Sequence, residues 1–127
     1  MYKVIVAGSR DFNDYGLLER ELINFLRGRK PSEVEIVSGG ARGADRLGER
    51  FAKEKKCRLA LFKADWDKYG KSAGYRRNVE MAEYSNACVV FWDSVSKGSK
   101  HMIDIAEKKG LDLEIVRYWI ISIYRLN

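Results

Sequence analysis

Cysteine, histidine and proline are scarce in this chain, and long apolar runs are missing. Among 127 residues there are two cysteines, one histidine and one proline. Cys57, Cys88 and His101 lie too far apart for a zinc-type spacing, so no metal site and no cofactor are expected. Each cysteine sits in or beside an apolar strand and reads as a buried, reduced thiol. No apolar stretch approaches a membrane span, and no membrane partner is expected. Met1-Tyr2-Lys3-Val4 leads straight into a strand rather than a signal sequence, and the expectation is a cytoplasmic protein. Linkers, repeats and low-complexity segments are also missing. The 46% hydrophobic and 33% charged content excludes disorder.

The chain does carry a net charge of +6, and much of it lies beside glycine turns. A basic balance attracts phosphate, in small ligands or in nucleic acid. The most informative segment is Ser38-Gly39-Gly40-Ala41-Arg42-Gly43-Ala44-Asp45, between an apolar strand, Val34–Val37, and a helix over 44–56. Glycines at such a turn allow close backbone approach, and the helix start offers unpaired N–H groups to an anion. A ligand-free tight turn is the plainer alternative.

Strand and helix alternate throughout. Strands are expected at Tyr2–Ala7, Val34–Val37, Arg58–Lys63, Ala87–Trp92 and Leu113–Tyr118. Helices are expected over about 15–27, 44–56, 75–84 and 99–109, with Ala64 to Ala73 as a loop. Leu18, Leu22, Phe25 and Leu26 share one helix face. The run Ala87–Trp92 is apolar without interruption, as in a central parallel strand covered on both faces. The pattern predicts an α/β, Rossmann-like three-layer sandwich: a five-stranded parallel sheet of order 3-2-1-4-5 with helices on both faces. Residues 1–118 read as one domain. Residues 119–127 are an apolar extension of it, either a covering segment or an edge for homo-oligomer formation.

Ligands of such sheets bind outside the carboxyl ends of the strands. Four clusters fall there: Gly8-Ser9-Arg10-Asp11, Ser38–Asp45, Asp65–Asn78 and Ser94–Ser99. The ligand-binding candidates are Gly8, Ser9, Arg10, Ser38, Gly39, Gly40, Arg42, Gly43, Asp45, Trp66, Lys71, Gly74, Arg77, Asn78, Gly98 and Ser99. Arg76-Arg77-Asn78 opens a helix, where cations are disfavoured unless an anion sits nearby, and both guanidinium groups are expected at the rim. Gly70-Lys71-Ser72 is no P-loop, because Asp65 stands where the earlier glycine belongs. Gly40 and Gly43 fit a dinucleotide fingerprint, but Ser38 occupies its first glycine place. Asp65 reads as a turn residue. Trp66 and Tyr69 are expected to cover the core more than to stack on a base. No nucleophile–base pair stands out and His101 reads as a helix-surface residue, so the catalytic residues stay unknown, with Asp45 and Asp93 as candidates.

These four clusters, in this order, resemble the YspA-related branch of the SLOG superfamily. The likeness runs over about residues 2–116 through Gly8–Asp11, Ser38–Asp45, Ala73–Asn78 and Ser96–Ser99. The resemblance implies a Rossmann-like fold binding nucleotides or nucleic acid; relatives include LOG-type phosphoribohydrolases and the DNA-processing protein A group. The LOG-type catalytic glutamate is replaced by Met102, and Tyr75 stands in place of the usual proline. The expected function is binding of a nucleotide-derived, phosphate-containing small molecule, its phosphate on the Gly39–Gly43 turn. A nucleotide N-glycosidase using Asp45 or Asp93 comes second. Single-stranded DNA binding comes last, for want of a row of exposed aromatics.

Overall fold

The computed structural model describes residues 1–118. The expected extension at 119–127, with its role in self-association, lies outside them. The elements in chain order are β1 (Tyr2–Gly8), α1 (Tyr15–Phe25), β2 (Val34–Ser38), α2 (Ala44–Lys55), β3 (Arg58–Leu61), α3 (Trp66–Tyr69), α4 (Ala73–Tyr84), β4 (Ala87–Trp92), α5 (Lys97–Lys108) and β5 (Asp112–Arg117). The strands form one parallel sheet of order β3-β2-β1-β4-β5, as the alternating pattern predicts.

Alternate residues of the central strands enter two separate cores. Val4, Val6, Ile36, Val89 and Phe91 pack with Leu18 and Leu22 of α1 and Phe51 of α2. Ile5, Val37, Cys88 and Val90 pack with Met81 of α4 and Met102 and Ile103 of α5. Both faces of the sheet are therefore covered, and β4 is buried at all six positions. The edge strands are half covered, leaving Leu59, Leu61 and Ile115 exposed. Among the described residues, no helix is long and apolar enough to cross a membrane.

Several boundaries differ from expectation. β3 stops at Leu61, two residues early, because its partner β2 ends at Ser38, opposite Leu61. The expected loop 64–73 is helical instead. Asp65 Oδ1 accepts from the Lys68 amide at 3.1 Å and caps α3, and a 3-10 turn over Gly70–Ser72 leads into α4 two residues early. α5 also begins two residues early, at Lys97.

Candidate functional site

All four clusters reach one rim, where a cleft of about 550 Å³ opens at the carboxyl ends of the strands. Gly8, Ser9 and Arg10 line it from β1, and Asp45 lines it from α2. Trp66, Lys71, Gly74, Arg77 and Asn78 come from the segment after β3; Asp93, Gly98 and Ser99 follow β4. Gly39, Gly40 and Arg42 line a neighbouring concavity instead. Ser38 and Gly43 line neither.

Ser38 and Gly43 shape the turn. Ser38 is wholly buried; its Oγ accepts from the Gly40 amide at 3.1 Å and donates to Glu49 Oε2 at 2.7 Å. Gly43 has φ +78°, and a Cβ there would collide with the backbone of Ser9 and Arg10. Asp45, in the first turn of α2, folds back: its Oδ2 accepts from the Ala41 amide at 3.1 Å. Two of the donors expected to cradle a phosphate, the Gly40 and Ala41 amides, thus have an acceptor supplied by the chain.

The start of α5 is built differently. Ser96 precedes it, yet its side chain caps nothing and no acid lies in the first turn. Its Oγ turns instead to Asp93 Oδ2 at 2.9 Å and to Ser9 Oγ at 3.2 Å. Asp93 is spent on its own loop, where Oδ1 accepts from the Val95 and Ser96 amides at 2.9 and 2.8 Å. Asn78, itself buried, steadies this region: its Nδ2 donates to the Gly98 carbonyl at 3.4 Å and lies 3.2 Å from His101 Nδ1. Gly98 and Ser99 therefore present an uncapped helix N-terminus to the cleft.

A family model described as the YspA, cpYpsA-related SLOG family matches residues 2–69. The chain belongs to this family. Over 117 residues it is 34% identical to the Gene 61 protein of Mycobacterium phage D29, spanning 87% of this chain and 93% of that protein. The fold is similar to that of DNA processing protein A from Streptococcus pneumoniae, with a TM-score of 0.70 and 19% identity. That likeness covers 96% of this chain and 52% of the other, so the chain spans about half the length of that neighbour.

Within this SLOG frame the rim is electrostatically uneven. Burial pushes the Asp45 carboxyl up to about 6, against the opposing pull of the Ala41 amide and Arg77. The carboxyl of Asp93 is held below its usual range: burial raises it, but hydrogen bonds from Ser96, Val95 and Ser9 outweigh that. Burial lowers the Arg77 guanidinium, Asp45 opposes this, and Arg10 adds to it. Arg77 Nη1 donates to the Gly39 carbonyl at 2.6 Å and Nε to Asn78 Oδ1 at 3.1 Å. Nη2 has no partner among the described residues.

Several side chains depart from expectation. Arg76 lines neither concavity; its Nε donates to Ser72 Oγ at 3.1 Å and its guanidinium lies over the Tyr69 ring. His101 is half-buried rather than a surface residue, with Tyr75 packed edge-on at 4.5 Å between ring centroids. Trp66 belongs to neither core and is 51% exposed, packed against Gly74, where a Cβ would sit 3.4 Å from its ring. Tyr69 and Tyr75 are exposed as well; Trp66 and Tyr75 line the cleft, and of the three only Tyr75 was not weighed from sequence as a stacking aromatic. Also missed were Arg46 and Lys63, which line the second concavity. Lys63 was findable, since it follows a strand at its carboxyl end.

Proposed function

We propose that the 550 Å³ cleft binds a nucleotide-derived small molecule, with its phosphate on the N-terminus of α5 and its base against Trp66. The observation that carries this reading is the uncapped, acid-free start of α5, opening between Lys97, Lys71, Arg10 and Arg77. Helix-terminal amides and converging cations both favour a phosphate, and the free Nη2 of Arg77 supplies a further donor. This moves the phosphate away from the Gly39–Gly43 turn, whose Gly40 and Ala41 amides are engaged by Ser38 and Asp45. The cleft volume suits a ligand of nucleotide size. A nucleotide panel should raise the melting temperature of the purified protein, and Arg77→Ala should abolish the rise. No shift with any nucleotide would remove the reading.

One observation favours a second reading, an N-glycosidic hydrolase. Asp45 lines the cleft with a carboxyl raised to about 6, a value suited to proton transfer near neutrality. Met102, where LOG-type enzymes place glutamate, is buried and supplies no acid. Free base released from nucleoside monophosphates, and lost in Asp45→Asn, would support hydrolysis. Intact monophosphates after prolonged incubation would exclude it.

A further inference from the structure

Beside the first cleft lies the second concavity, of about 420 Å³. Among the described residues five cations line it, Arg10, Arg42, Arg46, Lys63 and Arg77, and no carboxylate does. Among the described residues none of the five takes part in an ion pair, whereas Arg50, Lys55, Lys100 and Lys109 elsewhere on the surface each have one. Cations on a convex surface spread into solvent; in a concave site they reinforce one another and concentrate anions. Part of the cluster is held in place: Arg46 Nε donates to the Gly40 carbonyl at 3.4 Å, and Arg77 to that of Gly39.

The two concavities adjoin: Arg10, Ala41, Trp66 and Arg77 line both, so an exposed indole and two guanidinium groups are shared between them. Each side is within the size range of a small-ligand site. Asp11, Asp45 and Asp93 also line the first cleft, whereas no carboxylate of the described residues lines the second, so a further phosphate is favoured in the second concavity. Anionic groups are therefore favoured at the α5 start and in the second concavity, with an aromatic face between.

We propose that the second concavity holds a second phosphate of the same ligand, and that this ligand is a dinucleotide rather than a mononucleotide. The inference rests on the proposed nucleotide reading of the first cleft, and a residue-resolved experiment separates the two. Inorganic pyrophosphate is titrated into isotope-labelled protein while backbone amide signals are followed by NMR. Gly98 and Ser99 report the first cleft; Gly39, Gly40 and Ala64 report the second. Both groups should shift saturably, and in Arg42→Gln/Lys63→Gln the second group should stop responding while the first is unchanged. Second-group signals that stay still, or that move equally in the double variant, overturn the second site. Still Gly98 and Ser99 signals beside a moving second group overturn the first-cleft reading instead.

The ligand class is tested by calorimetry at about 150 mM salt, where non-specific phosphate contacts are weakened. The dinucleotide pApA should bind about tenfold tighter than AMP, and the double variant should lose that advantage. Equal affinities would refute the dinucleotide. A single-stranded oligonucleotide binding more than about tenfold tighter than pApA would replace it with a polymer.

Discussion

The starts of α2 and α5 look alike on paper and behave in opposite ways. Both follow a buried strand of the parallel sheet, and both bring glycine and serine to the rim. At α2 the acid in the first turn takes the preceding Ala41 amide, and Ser38 takes that of Gly40. At α5 the first turn holds lysine, glycine and serine, and the nearby acid, Asp93, bonds backward into its own loop. A strand–glycine–helix motif therefore marks where an anion belongs without saying whose anion it is. At α2 the chain provides it, and at α5 the position is open.

Glycine substitutions test this contrast with the largest expected effects. Gly43 has a left-handed φ and no room for a Cβ, whereas a Cβ at Gly98 meets nothing within 4 Å. Gly43→Ala should cost about 2–4 kcal/mol, since strain and collision act together. Gly98→Ala should be neutral or stabilising by about 0.5 kcal/mol, through reduced freedom of the unfolded chain. Because Gly98 lines the cleft, that same variant should weaken nucleotide-induced stabilisation. Thermal and urea unfolding of both variants decides the matter. If both cost the same, the α2 turn is no more structural than the α5 turn.

The strand order was legible because its signals are local and repeated, above all the unbroken apolar run Ala87–Trp92 that must lie between two layers. The end of β3 was not legible, since it depends on where β2 stops. The segment 65–72 has no apolar periodicity, and its helical turns rest on one cap at Asp65 and on packing over Gly74. At the rim, residue types could be read but directions could not. Arg76 and Arg77 are neighbours in sequence, yet only Arg77 lines the clefts. The five cations of the second concavity come from four separate stretches of chain, a convergence that only the tertiary fold produces.

The pH dependence of stability gives a smaller and more selective test, because the two acids should pull in opposite directions. The Asp45 carboxyl titrates near 6 when folded and near 3.8 when unfolded. Between those values the folded state holds the extra proton, so stability falls as pH rises through this window and is recovered on acidification. The difference corresponds to about 3 kcal/mol at most, given 1.36 kcal/mol per unit. Asp93, with its carboxyl held low, contributes stability that is lost as pH falls through its folded value. The other acids are common to the wild type and an Asp45→Asn variant and cancel in the difference between them. The stability of wild type relative to Asp45→Asn should therefore increase between about pH 7 and pH 4.5, while the same subtraction with Asp93→Asn should stay flat over that range and decrease only as pH falls below the unfolded value of 3.8. Urea unfolding from about pH 7 down to about pH 3 measures both curves. Parallel curves for wild type and Asp45→Asn would mean that the α2 carboxylate is not buried in its own turn, and the contrast between the two helix starts would lose its physical basis.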